Sequence, residues 1–264
     1  MSETENVALA KTSLLTAIAV YALWVLATYL LEGRVGLLQQ PDVAGRVLYG
    51  LITNILIGTI VALWALRIPI SAGLVDLHQL GLRSVWSTTA GVVVAFLAGL
   101  GFVLLQPAPS FTPIVLANVF AQVLPTSIAE IMVCWAVVGA VFAGALRSKI
   151  GALALVSGII LADLVFGIYH FAHSAPFNQM SMVLFLMIPG LVTSLIYFLG
   201  HNLYAAIVIQ NFLGSFGVMR SLSEDATSFY SQPLYALYLL ALVAALALIG
   251  GHVWLKKWAE ARRQ

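Results

Sequence analysis

Eight runs of predominantly apolar residues divide this chain: 13–31, 47–66, 87–106, 125–146, 150–172, 181–199, 202–219 and 233–255. Each is close to the roughly 20 residues that an α-helix needs to cross about 30 Å of hydrocarbon. No water reaches the backbone there, so such runs must close their own hydrogen bonds as helices. Composition agrees. Of the 264 residues 62% are hydrophobic and 8% charged, against about 25% charged in a soluble domain, and the mean hydropathy is +1.03. A soluble enzyme, a nucleic-acid-binding module and a disordered chain are excluded. The expected fold is an all-α polytopic transmembrane helical bundle of about eight spans, a single integral membrane domain over residues 1–264.

Finer features follow from local chemistry. The segment 113–124, ended by Pro125, reads as a separate interfacial or tilted helix. The segment 67–86 reads as an amphipathic connection, and 220–232 as a polar, Ser-rich loop. Cytoplasmic loops are enriched in lysine and arginine. Lys11, Arg67, Arg83, Arg147, Lys149, Lys256, Lys257, Arg262 and Arg263 fall on one side, while Arg34, Arg46 and Arg220 fall on the other. Both termini are therefore expected on the cytoplasmic face, in the plasma (inner) membrane. Glu3 and Glu5 stand where a cleavable leader carries basic residues, so the first run is expected to remain as a span. The lone Cys134 forms no intramolecular disulfide, and a net charge of +2 gives no reason to expect nucleic acid as a partner.

Eight of the ten acidic residues are expected in loops or tails: Glu3, Glu5, Glu32, Asp42, Asp76, Glu224, Asp225 and Glu260. Glu130 and Asp163 lie inside spans, where a carboxylate costs about 2.5–3.5 kcal/mol and marks a functional site by default. The bland alternative is a hydrogen-bonded carboxyl pinning two helices. Asp163 and His170 are seven apart and expected on one helix face, with His173 one turn further. A single intramembrane histidine is more often a helix–helix hydrogen bond than a ligand, whereas two beside an aspartate favour function. Gln210 and Asn211 offer amide donors for an oxyanion or for packing. His201 reads as a solvated interfacial residue. Trp24, Tyr29, Trp64, Trp86, Trp254 and Trp258 are assigned no site role, most lying near span ends as anchors.

A base, imidazoles and amide donors on separate spans are the parts of a water-using hydrolase within a membrane. Here the chain resembles the CAAX protease and bacteriocin-processing family of intramembrane endopeptidases. That family carries Glu-Glu-x-x-x-Arg, Phe-x-x-x-His and His-x-x-x-Asn motifs on separate helices. The second stands intact as Phe166-Gly-Ile-Tyr-His170. LGLRS (80–84) and the stretch 187–214 also fit, so the resemblance runs from about residue 80 to 214. Aligned on the first motif, Ala129, Glu130 and Cys134 replace Glu, Glu and Arg. At the third, Gln210 and Gly214 replace His and Asn, with Asn211 the nearest amide.

The resemblance implies hydrolysis of a peptide bond in a membrane-associated or prenylated substrate. Glu130 would activate water beside His170, and Gln210 or Asn211 would face the oxyanion. A metal version would draw His170, His173 and Asp163 around a divalent ion such as zinc, since catalytic zinc keeps three protein ligands and one water. The alternatives are an inactive relative acting as a membrane binding or immunity-type protein, and a small transporter relaying protons through Glu130 and Asp163.

Overall fold

The computed structural model describes residues 3–105, 112–221 and 228–262. Eight long apolar helical stretches run through it: α1 (Ala8–Gln39), α2 (Val43–Ser71), α3 (Val85–Leu105), α4 (Pro113–Ile150), α5 (Leu153–Ala172), α6 (Met180–Gly200), α7 (Leu203–Arg220) and α8 (Tyr235–Ala261). No β-strand occurs among the described residues. Large apolar side chains such as Ile18, Leu97, Leu104, Leu239 and Leu246 point outward, an arrangement suited to lipid rather than water. The chain is a multi-pass integral membrane protein, an all-α bundle.

The helices are not equivalent. Fully 89% of the apolar window of α4 is interior, against 11% for α3. α4 therefore forms the core, packed by α1, α2, α5, α7 and α8, while α3 leans on α7 at the periphery. The expected break at Pro125 does not occur: α4 begins with Pro113 in its first turn and passes through Pro125 without interruption. Pro125 forfeits one backbone hydrogen bond, and burial among neighbouring helices carries the helix through.

α4 and α5 approach through small residues. A Cβ built on Gly158 would stand 2.9 Å from the Gly139 carbonyl oxygen and 2.8 Å from the Ala143 Cβ. Small residues permit such close backbone contact between membrane helices, and here they hold the helix bearing His170 against the helix bearing Glu130. Gly158→Leu is expected to destabilise the bundle by about 1–3 kcal/mol through overpacking, measured by unfolding in mixed micelles. Gly250→Leu is the control, because a Cβ at Gly250 meets nothing within 4 Å.

Among the described residues the winding widens to π-type, i→i+5 hydrogen bonding in three places: Tyr29–Gly33, Gly50–Val61 and Ile131–Ala140. Such winding is rare and concentrates at functional sites. It contains Glu32 and Asn54, and starts immediately after Glu130.

The connection 67–86 is helical only at its ends. Helix stops at Ser71, and the chain then turns, with Leu80 and Leu82 buried. Gly81, at φ +74, accepts a backbone hydrogen bond from Leu203 at 3.0 Å, so LGLRS docks on the α6–α7 turn. His201 occupies that turn at φ +45. It is half-buried rather than solvated, and burial, then His78 and Arg83, lower its pKa below the ordinary histidine value. Of the expected loop 220–232, residues 222–227 lie outside the described residues.

Candidate functional site

A cavity of about 100 Å³ opens among α2, α4, α5, α6 and α7, lined by Glu130, His170, His173 and Gln210. That is room for several waters, each needing at least ~10–15 Å³. The cavity also takes Leu37, Leu38, Arg46 and Phe177 into its wall. It therefore lies toward the end of the bundle where α1 passes to α2 and α5 passes to α6.

Glu130 is buried, and its Oε2 accepts from Gln210 Nε2 at 2.8 Å. The Gln210 Oε1 accepts from Thr193 Oγ1 at 2.8 Å. This chain crosses from α6 through α7 to α4, and it fixes the orientation of the Gln210 amide. One Nε2 hydrogen of Gln210 is engaged by Glu130, and a carboxamide has a second.

α5 ends its α-helical winding at Tyr169, and His170–Ala172 form a tighter 3₁₀ turn. His170 Nδ1 lies 2.8 Å from the Phe166 carbonyl. A carbonyl only accepts, so Nδ1 carries the proton and Nε2 the lone pair of the neutral ring. His173 leaves the helix in extended conformation, yet its ring stays 5.6 Å from that of His170. Its Nδ1 meets Glu32 Oε2 at 2.8 Å. The Ser174 backbone amide donates to the same oxygen at 3.0 Å, and the Ser174 hydroxyl donates to Glu32 Oε1. A carboxylate on Nδ1 sets the tautomer and orientation of an imidazole and leaves Nε2 for chemistry.

Two expected site residues stand elsewhere. Asp163 does not line the cavity: its Oδ1 lies against Gly190 of α6, where the Phe166 ring also packs, and it has no hydrogen-bond partner. Seven-residue spacing puts Asp163 and His170 on one face, but the cavity extends along that face no further than Phe166. Asn211 is buried and cross-links α7 to α4, donating to the Phe120 carbonyl at 3.3 Å and accepting from Ser127 Oγ at 3.4 Å. Its amide faces packing partners, not the cavity.

Among the described residues no group of three or more His, Cys, Asp or Glu side chains is arranged to hold a metal ion. The set His170, His173 and Asp163 is divided by the position of Asp163, which does not line the cavity. These residues do not fit a three-ligand zinc centre.

Several contributors were invisible at the level of sequence. Glu32 was expected in a loop and is instead fully buried, because the widened turns of Tyr29–Gly33 keep the chain helical past the end of the apolar run. Arg46 was expected in an exposed connection and is buried in the cavity wall. Trp24 is likewise interior, stacked on Tyr169 with ring centres 3.9 Å apart, and Tyr169 stands edge-on to both imidazoles. The available signal was position: Glu32 and Arg46 each abut an apolar run by one residue.

No family model, curated protein or solved structure matches the chain.

Proposed function

We propose that the chain is an intramembrane hydrolase of the CAAX-protease type, cleaving a peptide bond in a membrane-associated or prenylated substrate. The observation that carries this reading is the convergence of Glu130, His170, His173 and Gln210 on one cavity with room for several waters. Glu130 accepts the proton of a water held between its carboxylate and the His170 Nε2. The hydroxide adds to the substrate carbonyl. The second Nε2 hydrogen of Gln210 is the donor toward the oxyanion. Glu130 then gives that proton to the leaving amine as the carbon–nitrogen bond breaks, while His173, held by Glu32 at Nδ1, orients the reacting groups through its Nε2. General acid–base groups of this kind contribute about 10²–10⁴ in rate. No step passes through a metal.

One observation favours a second reading, an inactive relative that only binds. Gln210 already donates to Glu130 and Asn211 is turned into packing, which leaves a single amide hydrogen for an oxyanion. Loss of an oxyanion donor costs about 10²–10³ in rate. The two readings part in one assay: wild-type protein in nanodiscs, a panel of membrane-tethered fluorogenic peptides, and mass spectrometry of the products. Cleavage that persists with chelator supports the hydrolase. A folded wild type that cleaves nothing favours binding alone.

The orientation belongs to the same proposal, with both termini on the cytoplasmic side of the plasma (inner) membrane. Its support is that Arg147 and Arg262 share one cleft with Ser71 at a single end of the bundle. The cavity then opens toward the opposite face. Cys134 is buried, so introduced cysteines report accessibility. Ser231→Cys is expected to react with a membrane-impermeant maleimide in intact cells and Ala261→Cys only after lysis; the reverse pattern inverts the topology.

A further inference from the structure

Among the described residues no carboxylate forms an ion pair with the buried Arg46, and Glu32 and Asp42 act on it only at a distance. Its Nη1 donates to Gln122 Oε1 at 2.9 Å and to the Tyr230 hydroxyl at 3.0 Å. Its Nη2 donates to the Leu38 and Gln40 carbonyls at 3.2 and 2.9 Å. All four acceptors are neutral, and the rings of Phe229 and Tyr230 lie 5.1 and 5.6 Å away. The carboxylates closest in sequence are engaged elsewhere: Glu32 with His173 and Ser174, Asp42 with the Gly45 amide at 2.9 Å. The Arg46 Nε has no hydrogen-bond partner. A guanidinium held away from water is costly unless an anion joins it.

The rest of the cavity states what kind of anion. Arg46 shares the wall with Leu38, Val123, Leu186, Leu213 and Leu240, a lining that suits a hydrocarbon chain. On α7, Gly214 and Gly217 contribute no side chain, and a Cβ at Gly217 meets nothing within 4 Å. We infer that the cavity binds an amphiphile with an oxyanion head, carboxylate or phosphate, seated on Arg46, the cavity taking the head and the near end of an apolar chain that continues along α7. This site goes beyond the hydrolase reading and holds whether or not the cavity catalyses. The shared chemistry has two sources, a single-chain carboxylate and the head of an anionic bilayer lipid.

The test uses radiolabelled dodecanoate and dodecanol on the full chain in phosphatidylcholine nanodiscs, with empty nanodiscs as background. Saturable dodecanoate binding at least tenfold tighter than dodecanol is expected. Arg46→Gln is expected to lose that preference. Because Arg46→Gln also removes bonds that hold the fold, Gly217→Phe, which fills the cavity and leaves Arg46 intact, is expected to weaken dodecanoate tenfold or more. Phosphatidylglycerol that displaces dodecanoate assigns the site to a lipid head group; failure to displace assigns it to the single-chain carboxylate. Equal affinity for dodecanoate and dodecanol, undiminished preference in a folded Arg46→Gln protein, or no saturable binding of dodecanoate together with no binding of phosphatidylglycerol overturns the inference.

Discussion

Glu130→Gln is expected to lower peptide cleavage by about 10²–10⁴, the contribution of one well-placed general base. At 1.36 kcal/mol per decade that is about 2.7–5.4 kcal/mol of barrier. The substitution isolates the chemistry because it spares the fold. A glutamine oxygen can still accept from Gln210 Nε2, which now lies 2.8 Å from Glu130 Oε2, and the side-chain volume is almost unchanged. What disappears is an atom able to take a proton from water. KM is therefore expected to hold while kcat falls. The measurement is steady-state cleavage of the best peptide from the nanodisc panel, beside a thermal unfolding curve for each protein. A Glu130→Gln protein with full activity and normal stability removes Glu130 from the mechanism and with it the hydrolase proposed above.

The second large effect concerns stability. Glu32→Ala is expected to cost about 3–5 kcal/mol, because three buried donors lose their acceptor and each stranded group costs about 1–3 kcal/mol. Glu32 is fully buried and serves three donors: His173 Nδ1, the Ser174 amide and the Ser174 hydroxyl. Its removal strands all three where water has little access. Glu32→Gln keeps one carbonyl oxygen and offers an N–H where an acceptor is needed. It is expected to cost less, about 1–3 kcal/mol, and to free the His173 ring from its present orientation. Reversible unfolding in mixed micelles checks the order Ala worse than Gln worse than wild type. If Glu32→Ala unfolds at the wild-type midpoint, the Glu32–His173 contact contributes nothing to the fold.

Glu32 and Asp163 together show where reading the chain residue by residue stops. Glu32 sits one residue beyond an apolar run and so resembles an ordinary loop acid, while Asp163 sits in the middle of one and resembles a buried functional group. Their roles in the structure are reversed. Glu32 orients an imidazole of the cavity, and Asp163 rests against Gly190 outside it. Hydropathy reports how far a residue lies from the end of a run, not which helix stands opposite. Pro125 makes the same point. Its chemistry argues for a helix end, and the continuous helix from Pro113 to Ile150 exists because packing on all sides outweighs one lost hydrogen bond.

The apolar runs by themselves determined that this chain is an eight-span helical membrane protein, because hydrocarbon leaves the backbone no partner but itself. The spacing of Phe166, His170 and His173, and the intramembrane Glu130, were also legible, since each departs from the apolar pattern around it. The assignment of neighbours was decided only by tertiary structure. Gln210 on Glu130, Glu32 on His173, and Arg46 in the wall of the same cavity depend on how α1, α2, α4, α5 and α7 pack. Such packing rests on shape fit between small and large side chains on different helices, such as Gly139 against Gly158, and no local pattern in one helix specifies its partner in another.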